Sequence, residues 1–244
     1  MRTLQLIPVI RAARVLALAT IVHTFSTGLA FAQAPLRPRT LPVCSQVGQQ
    51  VKLTLNTGTA GGFPPPGTAD PIWRIVLPSA ITPFTTKPVN APAVWLPNSA
   101  TEKWIQPAAT GNPGTFPAGT YVYSTQFVTP VDPFLYSSIT ITGNFAADDS
   151  AIVKLNGVPI ANCPAGTNPA TWCFHSLKPI PPGVGWPTFN RFSGFLNTLT
   201  IEVKNTLANS PSGLLVRADV IGVCSKCTTT PPPEPPCGGN PSTC

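Results

Sequence analysis

SSITITGNFAADDSAIVKLNGVPI, residues Ser137 to Ile160, carries the clearest structural pattern in the chain. In its first half Ile139, Ile141 and Phe145 fall on one face, and Thr140, Thr142 and Asn144 on the other. That period of two is the pattern of a half-buried strand, because successive side chains of extended backbone point to opposite faces. In the second half Ala151, Val153 and Leu155 alternate with Ile152, Lys154 and Asn156. Between the halves lies the acidic turn Ala147-Asp148-Asp149-Ser150, read as folding the second strand back on the first. Asn156-Gly157 then supplies the dipeptide that tolerates positive φ, and predicts a tight reversal into Val158-Pro159-Ile160. The expectation is a β-meander.

Outward from this stretch the same alternation recurs. Val51, Leu53 and Leu55 form one inward face, Trp73 and Ile75 another, then Tyr121, Tyr123 and Phe127, then Leu199, Ile201 and Val203, and Gly213 to Val223 reads as a last strand. The Gly61 to Gly67 segment is a loop, since proline lacks the donor and glycine raises the cost of ordering. Trp95 falls in a proline-rich extended segment between Pro78 and Pro97. From Ala161 to Pro187 the alternation is lost among prolines, glycines and two cysteines, which reads as an insertion on the surface of the sandwich. About seven or eight strands with no amphipathic helix define an all-β chain, a sandwich or jelly roll.

The ends are of different character. Arg2, Arg11 and Arg14 precede the apolar run Val15 to Val22, and Ala30-Phe31-Ala32 and Ala32-Gln33-Ala34 follow, the pattern of a cleaved secretory signal over residues 1–34. The apolar run is too short to span a bilayer. Residues 35–227 form the β-sandwich domain, and 228–244, TTTPPPEPPCGGNPSTC, an extended Pro/Gly/Cys-rich tail. Without the signal, twelve basic residues remain against eight acidic ones, a net charge of +4 with no Lys/Arg run, so nucleic acid is excluded as a partner. Charged residues make up 9% of the chain against a usual ~25%, which leaves Thr, Ser, Asn, Gly and Pro to cover the surface.

All seven cysteines lie beyond the signal, as suits a secreted, extracellular or periplasmic protein. Cys163 and Cys173 bracket a short loop and suit a local bridge; Cys44 and Cys224 flank the domain and suit a tie between its ends. Cys227, Cys237 and Cys244 remain, an odd number that leaves a cysteine for disulfide-linked self-association. Cys224-Ser-Lys-Cys227 lacks the second CxxC or histidine of a metal site.

The order and spacing of Asp70-Pro71-Ile72-Trp73, Trp95-Leu96-Pro97-Asn98, Trp104-Ile105, Gly119-Thr120-Tyr121, Phe127, Ile141-Thr142-Gly143, Phe145-Ala146-Ala147-Asp148-Asp149, Leu155-Asn156-Gly157, Phe192 to Phe195, Asn197-Thr198-Leu199 and Gly213-Leu214-Leu215-Val216 resembles bacterial secreted domains of the galactose-binding-like jelly-roll fold. The resemblance runs from about Asp70 to Gly222. It implies an accessory module used for carbohydrate binding or adhesion.

Catalysis has little raw material. His23 leaves with the signal, His175 is the one imidazole that remains, and no GxSxG elbow presents a serine. Asp148 and Asp149, if extended, point to opposite faces, which defeats the facing pair that glycoside hydrolysis needs. Their turn reads as side-chain bonds to backbone, with a structural calcium as the alternative. Binding is the easier chemistry, because flat aromatic faces cover the apolar faces of sugar rings. Trp73, Trp95 and Trp104 are assigned to packing. Trp172, Phe174 and Trp186 in the insertion, with His175 and Asn190 as polar partners, are the ligand candidates for a glycan or other extracellular ligand, against the alternative that these rings plug the end of the sandwich. The rival role is a structural or assembly protein of the cell surface or extracellular matrix.

Overall fold

The structure, a computed structural model, describes residues 38–58, 68–77, 86–107, 114–129, 135–166, 172–186 and 196–226. The expected signal, the Gly61 to Gly67 loop, Asn190, the Phe192 to Phe195 motif and the tail with Cys227, Cys237 and Cys244 lie outside these residues. Among the described residues there are strands and no α-helix.

Two six-stranded sheets hold most of the chain. The first runs β1 (Arg39–Thr40), β7 (Gly119–Val128), β12 (Leu196–Asn205), β9 (Ser150–Leu155), β10 (Val158–Cys163), with β3 (Arg74–Leu77) also on β7. The second runs β11 (Lys178–Trp186), β8 (Tyr136–Asp148), β14 (Gly213–Cys224), β5 (Ile105–Pro107), β4 (Thr86–Pro88), with β2 (Gln50–Thr54) also on β14. A small ribbon pairs β6 (Thr115–Phe116) with β13 (Ser210–Pro211). Every pairing is antiparallel except β1 with β7.

The alternation seen in the sequence is the wall of the core. Tyr121, Tyr123, Phe127, Val153, Leu155, Leu199, Ile201 and Val203 of the first sheet share one buried cluster with Val51, Leu53, Ile139, Ile141, Phe145, Val216 and Val220 of the second. Each large apolar side chain buried this way is worth about 1.5–3 kcal/mol, so this sandwich-like cluster dominates the fold's stability. Asp70 explains its own motif. Its buried carboxylate accepts the N–H groups of Gly58 (2.6 Å), Ile72 (2.7 Å) and Trp73 (2.9 Å), which fixes the entry to β3, and burial still pushes its carboxyl above the ordinary value.

The reversal at Asn156-Gly157 forms as read: Leu155 faces Val158, and φ is 50° at Asn156 and 82° at Gly157. Positive φ at both central residues is the type I′ geometry that suits the twist of a two-residue hairpin. The acidic turn behaves differently. Asp148 pairs with Gly213 in the second sheet, whereas Ser150 pairs with Lys204 in the first. The chain therefore turns a corner from one sheet to the other and does not fold back as a meander. Asp149 alone separates β8 from β9, fewer than the two residues a tight hairpin needs.

The expected insertion is also partly strand. Cys163 ends β10, and β11 pairs with β8 from Lys178↔Phe145 to Trp186↔Ile139, with its register broken between Ile180 and Val184. Pro181 and Pro182 fall in that break, and β11 sits at the sheet edge, where a missing N–H is tolerated. Prolines hid the strand from the pattern.

Both expected bridges form, Cys44–Cys224 across 180 residues and Cys163–Cys173 across 10. Loop-closure entropy favours the long bridge, roughly 5 kcal/mol against roughly 3 kcal/mol for the short one. The long bridge is reinforced by Gly48 N–H to Cys224 O (2.8 Å) and Cys224 N–H to Gln49 O (2.9 Å).

Gly143 in the middle of β8 has φ of 146°, and a Cβ there would stand 2.2 Å from the Arg217 carbonyl oxygen on β14. Gly143→Ala is expected to destabilise the protein by about 2 kcal/mol or more, through strain and overpacking. Urea unfolding checks this; an unchanged midpoint would contradict the β8–β14 approach.

Candidate functional site

The corner at Asp148-Asp149 organises one end of the molecule. Just before it, Phe145 and Ala147 point into the main core while Ala146 points out, and on β14 Leu214 and Val216 point in while Leu215 points out. Ala146 and Leu215 make the floor of a second apolar cluster with Val89, Trp95, Trp104 and Phe174. Trp95 and Trp104 stack with centroids 4.3 Å apart, tilted by 39°. Trp104 Nε1–H donates to Leu96 O (2.7 Å), and Leu96 N–H donates to Phe174 O (2.8 Å). Two irregular segments are thereby laid over the outer face of the second sheet, and the assignment of Trp73, Trp95 and Trp104 to packing holds.

The loop closed by Cys163–Cys173 brings three of the five ligand candidates together. Trp172 and Phe174 lie 5.1 Å apart, Trp172 and His175 5.4 Å, and Phe174 and His175 4.7 Å, edge to face. Phe174 is buried in the second cluster; Trp172 and His175 are half-buried. Trp172 Nε1–H donates to Gly166 O (2.9 Å), which fixes the plane of the indole. The backbone of Trp186 lies further along the sheet. It pairs with Ile139, six positions along β8 from the Phe145 that Lys178 faces, or about 20 Å of strand. Asn190 lies outside the described residues.

The two carboxyls of the corner are hydrogen-bonded to each other, so the expectation that they point to opposite faces fails: Asp148 and Asp149 stand at a turn between two sheets and not side by side in one extended strand. Asp148 Oδ2 also accepts Trp95 Nε1–H at 3.1 Å. Burial, then the bond to Asp149 and its charge, push the Asp148 carboxyl up to about 8 against the pull of Trp95. Burial also works against the charge on Asp149. The bonds from Asp148, the Thr206 hydroxyl and the Thr206 N–H (2.8 Å) outweigh it and hold Asp149 below the ordinary value. At neutral pH the shared proton therefore sits on Asp148 and is donated to the Asp149 carboxylate. Glycoside hydrolysis needs carboxyls set about 5 Å or more apart across the scissile bond. Carboxyls in mutual contact, tied to Trp95 and Thr206, serve instead as a clasp between the sheets and the segments beside them. Among the described residues no three His, Cys, Asp or Glu side chains come together as metal ligands.

Beyond the corner, the outer face of the first sheet holds a depression of about 290 Å³. Thr120, Ser150, Ile152, Asn162, Glu202 and Lys204 line it, and Cys163 and Pro164 join its rim to the disulfide loop. The pairing register builds it from two cross-strand rows: Thr120, Lys204 and Ser150, then Glu202, Ile152 and Asn162. Apart from the placing of Ile152 opposite the Ala151, Val153 and Leu155 face, this set escapes sequence reading. The residues are ordinary outward positions of four strands, and only the register brings them together.

No protein-family model matches the chain, and no curated protein matches it.

The clasp makes stability depend on pH. Between about pH 4 and pH 8 the folded state keeps the Asp148 proton that the unfolded chain releases, so stability falls as pH rises through that window. Asp70 adds a slope of the same sign. Asp148→Asn removes the Asp148 part while keeping an oxygen for Trp95. From pH 5 to pH 8.5 the wild type is expected to lose at least about 1 kcal/mol more than Asp148→Asn in urea unfolding, roughly a five-fold change in the folded-to-unfolded ratio. Parallel curves would contradict the clasp.

Proposed function

We propose that this chain is a secreted, noncatalytic module of jelly-roll, galactose-binding-like build that binds a saccharide at the disulfide-closed end of its sandwich. The observation that carries the reading is the pair of half-buried rings, Trp172 and His175, on either side of the bridged Cys173 and packed against buried Phe174. A ring held in one plane by a hydrogen bond and a packed neighbour loses little freedom when a sugar stacks on it. In this reading Phe174 is the support and Trp172 and His175 are the contact surface. The two disulfides and the sparse charge of the surface fit an extracellular setting. No helix among the described residues is long and apolar enough to cross a membrane.

A glycan array probed with residues 35–244, with calcium and again with chelator, is expected to give a defined set of hits. Trp172→Ala is expected to weaken them at least about ten-fold, the order of one stacked aromatic contact, with the melting temperature little changed. Unchanged binding by the folded variant would remove the site.

A second reading rests on the cysteine count. Two bridges use four of the seven, and Cys227, Cys237 and Cys244 are left. The binding-module reading expects a monomer on a non-reducing gel. A ladder of multimers that collapses with reductant would favour the structural, assembling role.

A further inference from the structure

The depression on the first sheet has a chemistry of its own. Glu202 is already paired, its Oε1 lying 2.6 Å from Lys154 Nζ. Lys204, one rung further along β12, is exposed and has no ion pair among the described residues. The Asp149 carboxylate beside Ser150 is committed to Asp148 and Thr206. Lys204 is thus the one cation of the lining, and its ammonium is in no ion pair among the described residues. Around it stand the Thr120 and Ser150 hydroxyls, one on each side of Lys204 in the register, and the Asn162 amide across Ile152. Ile152 is 41% exposed, a large apolar side chain left uncovered at the centre of a polar ring.

A patch spanning four strands and two rungs measures about 14 Å by 7 Å, a footprint that suits an oligosaccharide segment more than a lone ion. A bare anion would use the charge and leave Ile152 wet; an aliphatic ligand would strand the hydroxyls and the amide. The ligand that satisfies all three features has a carboxylate, several hydroxyls and an apolar ring face. The net positive charge of the chain works in the same direction. Resting on the proposal that the module binds saccharide, we infer that this patch is a subsite for an acidic sugar. Lys204 pairs with the sugar carboxylate, Thr120, Ser150 and Asn162 bond its hydroxyls, and Ile152 packs against the ring. Continuity through Cys163 and Pro164 joins the subsite to the loop that carries Trp172.

The test is isothermal titration of residues 35–244 with uronic-acid tetrasaccharides (galacturonate, glucuronate and mannuronate), their methyl esters, neutral tetrasaccharides and sodium acetate. At least one uronate is expected to bind five-fold or more tighter than its own ester. Lys204→Gln should erase that preference, and Ile152→Ser should weaken acid and ester alike. Raising sodium chloride from about 50 to about 500 mM should weaken the acid and spare the ester, because an exposed charge pair is screened. Equal binding of acid and ester, unaffected by Lys204→Gln while Trp172→Ala still weakens it, would overturn the subsite and leave saccharide binding standing. Acetate competing as well as the uronates would overturn the sugar as occupant. Failure of every saccharide, charged or neutral, would overturn both readings.

Discussion

A change of sheet made over a single residue governs this architecture. Asp148 is the last residue of β8 in one sheet and Ser150 the first of β9 in the other, with Asp149 alone between them. A connection that short fixes the strands' relative phase, and side-chain alternation then decides which residues face the core and which face out. Phe145, Ala147, Ala151 and Val153 go inward on either side of the corner; Ala146 and Ile152 go outward. The corner must also place two carboxyls close together where water is scarce. Two charges there would repel in a medium that screens them poorly, so one carboxyl keeps its proton and the pair becomes a hydrogen bond. Trp95 and Thr206 donate to the same pair, which ties two more segments to this point.

The outward residues of the two sheets meet different fates. Ala146 and Leu215 are small or apolar, and are covered by Trp95, Trp104 and Phe174. Ser150, Ile152, Glu202 and Lys204 line the depression. The disulfide loop bridges the two surfaces: Cys163 sits on the rim of the depression, and Cys173 leads into Phe174 on the covered face. The bridge thus ties the rim of the polar hollow to the segment that carries a half-buried indole and imidazole. This neighbourhood, more than any single residue, supports a binding role.

Much of this was legible in the residues. The inward faces led by Val51, Tyr121 and Leu199 could be read because one buried and one solvated face impose a period of two, and the two disulfides because they close a short loop and join distant ends. The type I′ turn could be read because few dipeptides accept its backbone. The corner could not, since alternation is identical whether a strand folds back or changes sheet. Nor could β11, where edge prolines conceal a strand, or the backbone position of Trp186 opposite Ile139, which pairing alone decides. The depression was hidden for the deepest reason: it belongs to the register of four strands, and no local pattern encodes that.

A saccharide-binding end beside the corner is tested most simply by amide chemical-shift mapping, with residues 35–244 titrated with the strongest saccharide hit from an array. Changes are expected to be confined to 120, 150–152, 162–166, 172–175 and 202–204, the stretches that line the depression or are tied to it by the Cys163–Cys173 bridge. Changes centred on β2 or β4, or spread evenly over both sheets, would contradict a binding end at this position.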